Sequence, residues 1–333
     1  MTKQTTAGYR VTNWPQYNAA LRQRGSLTVW IAEAVLADWQ NVAALNVGKP
    51  GAPFRYPDLV VESLLQLGAV FHQPLRQTQG LSRSILKLLD VGLRVPDYTT
   101  LSRRRSRLSG SLPTIPKDSI DLVVDSTGLK FYGEGEWKRK KHGFGRHRMW
   151  RKLHLGADSD GEIRVELLTE NNVTDASATD DLLEQSDQTN STITAFFGDG
   201  AYDQRKVYDA LSARGIPKVV IPPQKNAKIW LHGNSKAPPH PRDENLRSIR
   251  RTSRTGWKQR SGYHTRSLSE TAMFRYKRII GERVQARTLK GQRVETRMGV
   301  QVLNQMFALG MPDSTWRGHL SVASGARAIR RTG

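Results

Sequence analysis

Four side chains with chemistry to offer are spaced three, four and seven residues apart: Tyr263, Arg266, Glu270 and Lys277. At about 100° per residue a helix turns these positions onto one arc roughly 60° wide. That arc would carry a phenol, a guanidinium, a carboxylate and an ammonium group. Three of them favour phosphate, and the carboxylate is a hard ligand for a metal ion. Ser267 and Glu270 also fit a capping box, in which the carboxylate closes a first helical turn. The two readings are compatible, because a catalytic Glu can stand in a first turn.

Two further carboxylates follow short apolar runs. Ile120-Asp-Leu-Val-Val leads into Asp125, and Ile193-Thr-Ala-Phe-Phe-Gly leads into Asp199, each with Gly within three residues. In open α/β sheets, ligands gather beyond the carboxyl ends of strands. Two such strands can therefore present Asp125 and Asp199 side by side. Asp158, Asp160, Asp175, Asp180, Asp181 and Asp203 fit turns and helix starts instead. Asp125, Asp199 and Glu270 are 74 and 71 residues apart. Three carboxylates suit two Mg²⁺ or Mn²⁺ ions about 3.5–4 Å apart, which bind the attacking and leaving oxygens of a phosphodiester. The chain has no cysteine, which removes disulfides, thiolate metal sites and cysteine nucleophiles. His142, His147 and His154 are too loosely spaced for a zinc site.

The elements that must position these groups are legible in outline. Residues 9–110 read as helical. Asn13 would cap a helix with Pro15 in its first turn, and helices follow over 27–39, 58–71 and 74–89. A basic helix starts near Pro96 and includes Tyr98, Thr100, Ser102, Arg103, Arg104 and Arg105. Helix, Gly-containing turn and basic helix is the organisation of a helix-turn-helix reader of DNA. A linker at 109–117 leads to strands over 120–125, 149–157 and 162–168. A helix (175–185), a strand ending at Asp199, a helix (204–214) and a strand (218–222) follow, then late helices from Ser267 and Thr288. The fold class is α/β, a five-stranded mixed sheet with flanking helices preceded by an all-helical region. The expected organisation is a DNA-binding region at 1–110, a catalytic domain at 118–310 with a mobile basic insertion at 223–262, and a loosely structured basic tail at 311–333.

Of 333 residues, 52 are Lys or Arg and 30 Asp or Glu, a formal net charge of +22. Solubility alone needs a net charge of only about 2–8 on a small domain, so a polyanionic partner is implied. Residues 241–300 hold 16 basic and 5 acidic side chains, half of the surplus around the Tyr263–Lys277 stretch. No signal-peptide core opens the chain and no run approaches the ~20 apolar residues that span a bilayer. The expectation is a soluble, cytoplasmic protein with no membrane partner.

The spacing of Tyr263, Arg266, Glu270 and Lys277 resembles the Y-x2-R-x3-E-x6-K signature of DDE transposases from bacterial insertion sequences. The segment Trp137–His154, with Lys138, Lys140 and Arg148 among Trp, Phe and His, is similar to that of the insertion sequence five group, as are Glu270–Lys277 and Gly310–Asp313. The likeness runs from about residue 9 to residue 312. It implies an RNase H-like core, with Asp125, Asp199 and Glu270 as catalytic metal ligands and Tyr263, Arg266 and Lys277 beside the phosphate. It also implies a nucleoid-associated protein acting on double-stranded DNA, both the terminal inverted repeats and the target, as a homodimer or larger assembly. Each transposon end would be hydrolysed to a 3′-OH, which then attacks target DNA. A nuclease without strand transfer and an inactive DNA-binding regulator are the alternatives.

Overall fold

The structure, a computed structural model, describes residues 8–42, 46–48, 55–108, 112–131, 150–230 and 239–317. It opens with a short strand, β1 (Gly8–Val11), and then six helices: α1 (Trp14–Gln23), α2 (Leu27–Trp30), α3 (Glu33–Gln40), α4 (Asp58–Val70), α5 (Leu75–Leu88) and α6 (Tyr98–Arg105). The single helix expected over 27–39 is broken at Ile31 and Ala32. The break lets both Trp30 and Ile31 bury against Leu67, Ile85, Val302 and Met306.

The central sheet follows: β2 (Ser119–Phe131), β3 (Trp150–Ala157), β4 (Ile163–Glu170), α7 (Asp175–Asp187), β5 (Thr192–Phe197), α8 (Arg205–Ala213) and β6 (Lys218–Val220). Then come α9 (Pro241–Arg251), α10 (Arg254–Ser261), α11 (Ser267–Ile279), β7 (Arg283–Val284), α12 (Leu289–Ala308) and β8 (Ser314–Arg317). Among the described residues the sheet has six strands, not the five expected, in the order β4-β3-β2-β5-β6 with β7 on β2. The sixth arises because β2 runs on past Asp125 to Phe131 and leaves an edge that β7 pairs in parallel. β4, β3 and β2 are antiparallel; β5 and β6 continue in parallel.

Both faces of this sheet are covered, so its strands read as near-continuous apolar runs. Ile120, Leu122 and Val124 pack with Leu182, Leu183, Val207 and Leu211 of α7 and α8. Leu153, Leu155 and Leu168 pack on the other face with Ala272 and Met273 of α11 and Val300 and Leu303 of α12. Helix α12 is apolar on more than one side, as a helix buried on several sides must be. Its Val294 and Met298 join the core of α3 to α6, and its Val302 and Met306 join Trp30 and Leu67. One helix thus ties the N-terminal region to the sheet. No helix among the described residues is long and apolar enough to cross a membrane.

Two expectations are corrected here. The N-terminal region is not all-helical, and part of the expected loose tail is ordered, because β1 pairs antiparallel with β8. Asn13 does not cap α1 through its side chain; its Nδ2 donates to the Met311 carbonyl at 3.0 Å, and its Oδ1 accepts from the Asp313 amide at 2.8 Å. The expected mobile insertion also folds over much of its length, into α9 and α10. Arg242 donates from Nε to Asp203 Oδ1 at 2.7 Å and from Nη1 to the Lys228 carbonyl at 2.7 Å, and its guanidinium lies 4.0 Å from the Trp230 ring centre. Asp203 was expected to cap a helix. It lies instead buried under α9, where it also accepts from the Gln224 amide at 3.1 Å.

Helix α11 approaches α12 closely at Gly299, where an added Cβ would stand 2.9 Å from the Tyr276 ring and 3.0 Å from Ile280. Tyr276 is buried and has little room to yield. Gly299→Ala is expected to cost about 1–3 kcal/mol in denaturant unfolding through overpacking, despite Ala's better helix propensity.

Candidate active site

The sheet register sets Asp125 beside Asp199. Val123 pairs with Phe197 across the parallel β2–β5 ladder. Asp125 is two residues beyond Val123, and Asp199 two beyond Phe197. The two carboxylates therefore leave neighbouring strands at the same level, with adjacent strands about 4.8 Å apart. β5 ends there, while β2 continues because β3 still pairs with it, Asp125 opposite Leu155. Asp199 starts a short 3₁₀ turn, Gly200–Tyr202, and accepts the Ala201 amide at 2.8 Å.

Glu270 arrives from the opposite direction on α11. The residues before it do not form the helix that the spacing predicts. Gly262 ends α10 with φ of +73°, a left-handed conformation that favours glycine. Tyr263–Arg266 then make a 3₁₀ turn, and α11 starts at Ser267. The turn packs on β2 and β5. The capping box does not form either; no side-chain cap closes α11, and Glu270 is turned towards Arg266.

Arg266 joins the two sides of the site. Its Nη2 donates to Asp125 Oδ2 at 3.0 Å and its Nη1 to Glu270 Oε1 at 2.6 Å. Its Nε is buried without a partner. Tyr263 is tilted against Trp257, ring centres 5.8 Å apart, on the apolar cluster of Val123, Ala195, Phe197 and Val220. Burial raises its hydroxyl above the usual tyrosine range, and Asp199, Asp125 and Glu270 add to the rise. The phenol therefore stands in the field of all three carboxylates. Lys277 lies about two turns beyond Glu270 on α11, ~10 Å along the axis, and is the outermost of the four.

Burial holds the Asp125 carboxyl above the ordinary range; Asp199 and Asp175 push the same way, against the Ser126 amide and Arg266. Among the described residues no group of three or more His, Cys, Asp and Glu is gathered closely enough to hold a metal ion. The three oxygen donors are hard, and a guanidinium already bridges two of them as a stand-in cation.

The expected DNA-binding residues divide. Arg104 donates to the Tyr56 carbonyl at 3.0 Å and to the Asp58 carboxylate, and Arg105 lies 3.8 Å from Glu295. Both are turned into the helical packing. Tyr98 lies under Arg76, 4.7 Å from its ring centre. Ser102 and Arg103 are exposed, and Thr100 is half-buried. Nine residues separate α5 from α6, longer than the short turn of a helix-turn-helix. Lys138, Lys140 and Arg148 lie outside the described residues.

Asp175, read from sequence as a helix start, begins α7 and lies beside His154. Its Oδ1 is 3.4 Å from both Lys152 Nζ and His154 Nδ1. His154 is fully buried, and burial drives its pKa from the usual 6.5 down to about 4; Lys152 adds to this and Asp175 opposes it. Between pH 6.5 and 4 the unfolded chain binds a proton that the folded chain refuses. Stability is therefore expected to fall as pH drops through that window, by up to about 3 kcal/mol from this residue. Unfolding of His154→Gln, followed from pH 7 to 4.5, should lack that component.

The family description "Transposase DDE domain" matches twice, through two family models, at residues 22–134 and 116–304. Two solved structures are similar at 12% identity: a Mos1 transposase paired-end complex with left transposon end, covering 70% of this chain and 80% of that one, and a Mos1 mariner paired end complex with Mn, covering 89% and 92%. The TM-score is 0.23 in both cases.

Proposed function

The chain belongs to the transposase DDE domain family, and from that premise we propose that it cuts DNA at the ends of a mobile element and joins the freed 3′-OH to target DNA. The observation that carries the reading is that Asp125 and Asp199 leave neighbouring strands at one level while Arg266 bonds both Asp125 and Glu270, inside the matched segment 116–304. The mixed sheet, with carboxylates on its first and fourth main strands and on a late helix, supports an RNase H-like core.

Asp125, Asp199 and Glu270 are the residues that would hold two Mg²⁺ or Mn²⁺ ions. When bound, these supply charge neutralisation at the reacting phosphate and a more acidic water or hydroxyl. Arg266 supplies a planar pair of donors. It can exchange one oxygen each of Asp125 and Glu270 for two oxygens of a single phosphate, which suit its planar fork. Tyr263 is anchored on Trp257 and can donate its hydroxyl to the same backbone. Lys277 lies far enough along α11 to serve as a point charge on the next phosphate. Helices α1 to α6 are proposed to hold the inverted repeats, with Ser102 and Arg103 as the exposed contacts. A homodimer or larger assembly would bring two ends together. The insertion sequence five group and a bacterial, nucleoid-associated location complete the reading.

The test is cleavage and joining of labelled DNA carrying the flanking inverted repeat, with Mg²⁺ or with EDTA. Asp125→Asn, Asp199→Asn and Glu270→Gln should each lose on the order of a thousandfold in both steps, about 4 kcal/mol of barrier, while still binding the end. Cutting that persists in these variants would refute the assignment. Cutting without joined product would leave a nuclease, and metal-independent binding without cutting a regulator. Affinity for the end should drop on the order of 10³–10⁵-fold between 50 and 200 mM salt if six to ten phosphates are contacted.

A further inference from the structure

We propose that Phe274 is a DNA contact, an aromatic platform on which an unpaired base of the DNA end stacks, one helical turn from Glu270. The inference rests on the reading of this chain as an enzyme of DNA ends. It adds the state of the substrate: an end opened beside the cut.

The two faces of α11 are settled residue by residue. Ser269, Ala272, Met273 and Tyr276 are buried, the last three in the core between the sheet and α12. Ser267, Glu270, Thr271, Phe274 and Arg278 are exposed. Four of these five are polar or charged, as the outer face of a surface helix requires. Phe274 is the exception, at 68% exposure. Positions four apart on a helix are neighbours, about 5–6 Å between Cβ atoms. Phe274 therefore stands beside Glu270, which Arg266 links to Asp125.

A single exposed apolar side chain is ordinary on a protein surface. The distribution here is not even. Among the described residues, every other exposed large apolar side chain precedes β2; the sheet and the helices after it expose Phe274 alone. Nor does the helix gain from it, because Phe is a poorer helix former than the Leu, Lys, Arg or Glu that a solvated position admits. At this place Phe serves neither the core nor the helix.

The surrounding charge selects the occupant. Lys277 and Arg278 follow three and four positions on, so two cations lie at the edge of the ring. Residues 241–300 hold 16 basic and 5 acidic side chains. The partner must be a polyanion that also carries flat apolar faces, which is a nucleic acid. Inside a duplex each base is covered on both faces by its neighbours. Only a base that has left the stack offers its face to a side chain. An aromatic ring for the base with cations for the flanking phosphates is the combination by which proteins hold single strands.

The experiment measures binding of the full chain to labelled DNA carrying the flanking inverted repeat, in EDTA so that nothing is cut. One end is fully paired. The other has two mismatched pairs at the cut position, one of its unpaired bases replaced by 2-aminopurine. Wild type should bind the opened end and quench the 2-aminopurine. Phe274→Ala and Phe274→Leu are expected to bind the opened end on the order of tenfold more weakly, without the quenching, and the paired end as wild type does. Phe274→Trp should keep both affinity and quenching. All three variants should unfold at the wild-type midpoint, because the side chain is exposed. Equal losses on both ends, or Leu as good as Phe, would overturn stacking in favour of a plain apolar contact. Wild-type behaviour of Phe274→Ala on both ends, in a protein that binds and cuts the end, would overturn this inference alone. A wild-type chain that neither binds nor cuts the end would overturn the reading beneath it.

Discussion

Like charges gathered in a half-buried place are the constraint around which this molecule is arranged. Asp199 and Asp175 both act on Asp125 as like charges, behind burial itself. The guanidinium of Arg266 offsets that repulsion at Asp125 and also bonds Glu270. Everything behind the site keeps the carboxylates from drifting apart. The β2–β5 register holds Asp125 level with Asp199. The tight α11–α12 contact at Gly299 fixes the helix that carries Glu270. Helix α12 in turn is held by three cores at once.

How much of this was legible in the sequence depends on the range of the interaction concerned. Asp125 and Asp199 could be found because each follows an apolar run that can only be a covered strand. Glu270 and Arg266 could be found because their spacing of four is a local helical relation, and it survives as a hydrogen bond. The helical arc as a whole did not survive. Gly262 takes a left-handed conformation and the chain enters α11 through a 3₁₀ turn, so Tyr263 rests on Trp257. The start of α11 at Ser267 is where the sequence puts it; what the spacing does not report is the 3₁₀ turn that carries Tyr263.

The less legible parts depend on long-range partners. Arg104 and Arg105 looked like exposed DNA contacts within a basic run, but Tyr56, Asp58 and Glu295 claim them. Residues 241–261 looked irregular because Pro, Arg, Lys and Asn dominate nearby. Arg242 finds Asp203 some forty positions away, and that pairing docks the segment. Asp175 begins α7 as its sequence position predicts, and the fold also brings it beside His154.

The ribbon of β1 and β8 sets an order of events during synthesis. Thr12 and Asp313, bonded just beyond the paired strands, are 301 positions apart. At about 5–20 residues per second, a ribosome needs on the order of 15–60 s to make that intervening length. Gly8–Val11 therefore emerges early and waits, its strand edge unpaired, until the segment after α12 leaves the exit tunnel. Ring closure by this ribbon is among the last steps of folding, and a truncated translation product lacking residues 314–317 would keep that edge open to other chains.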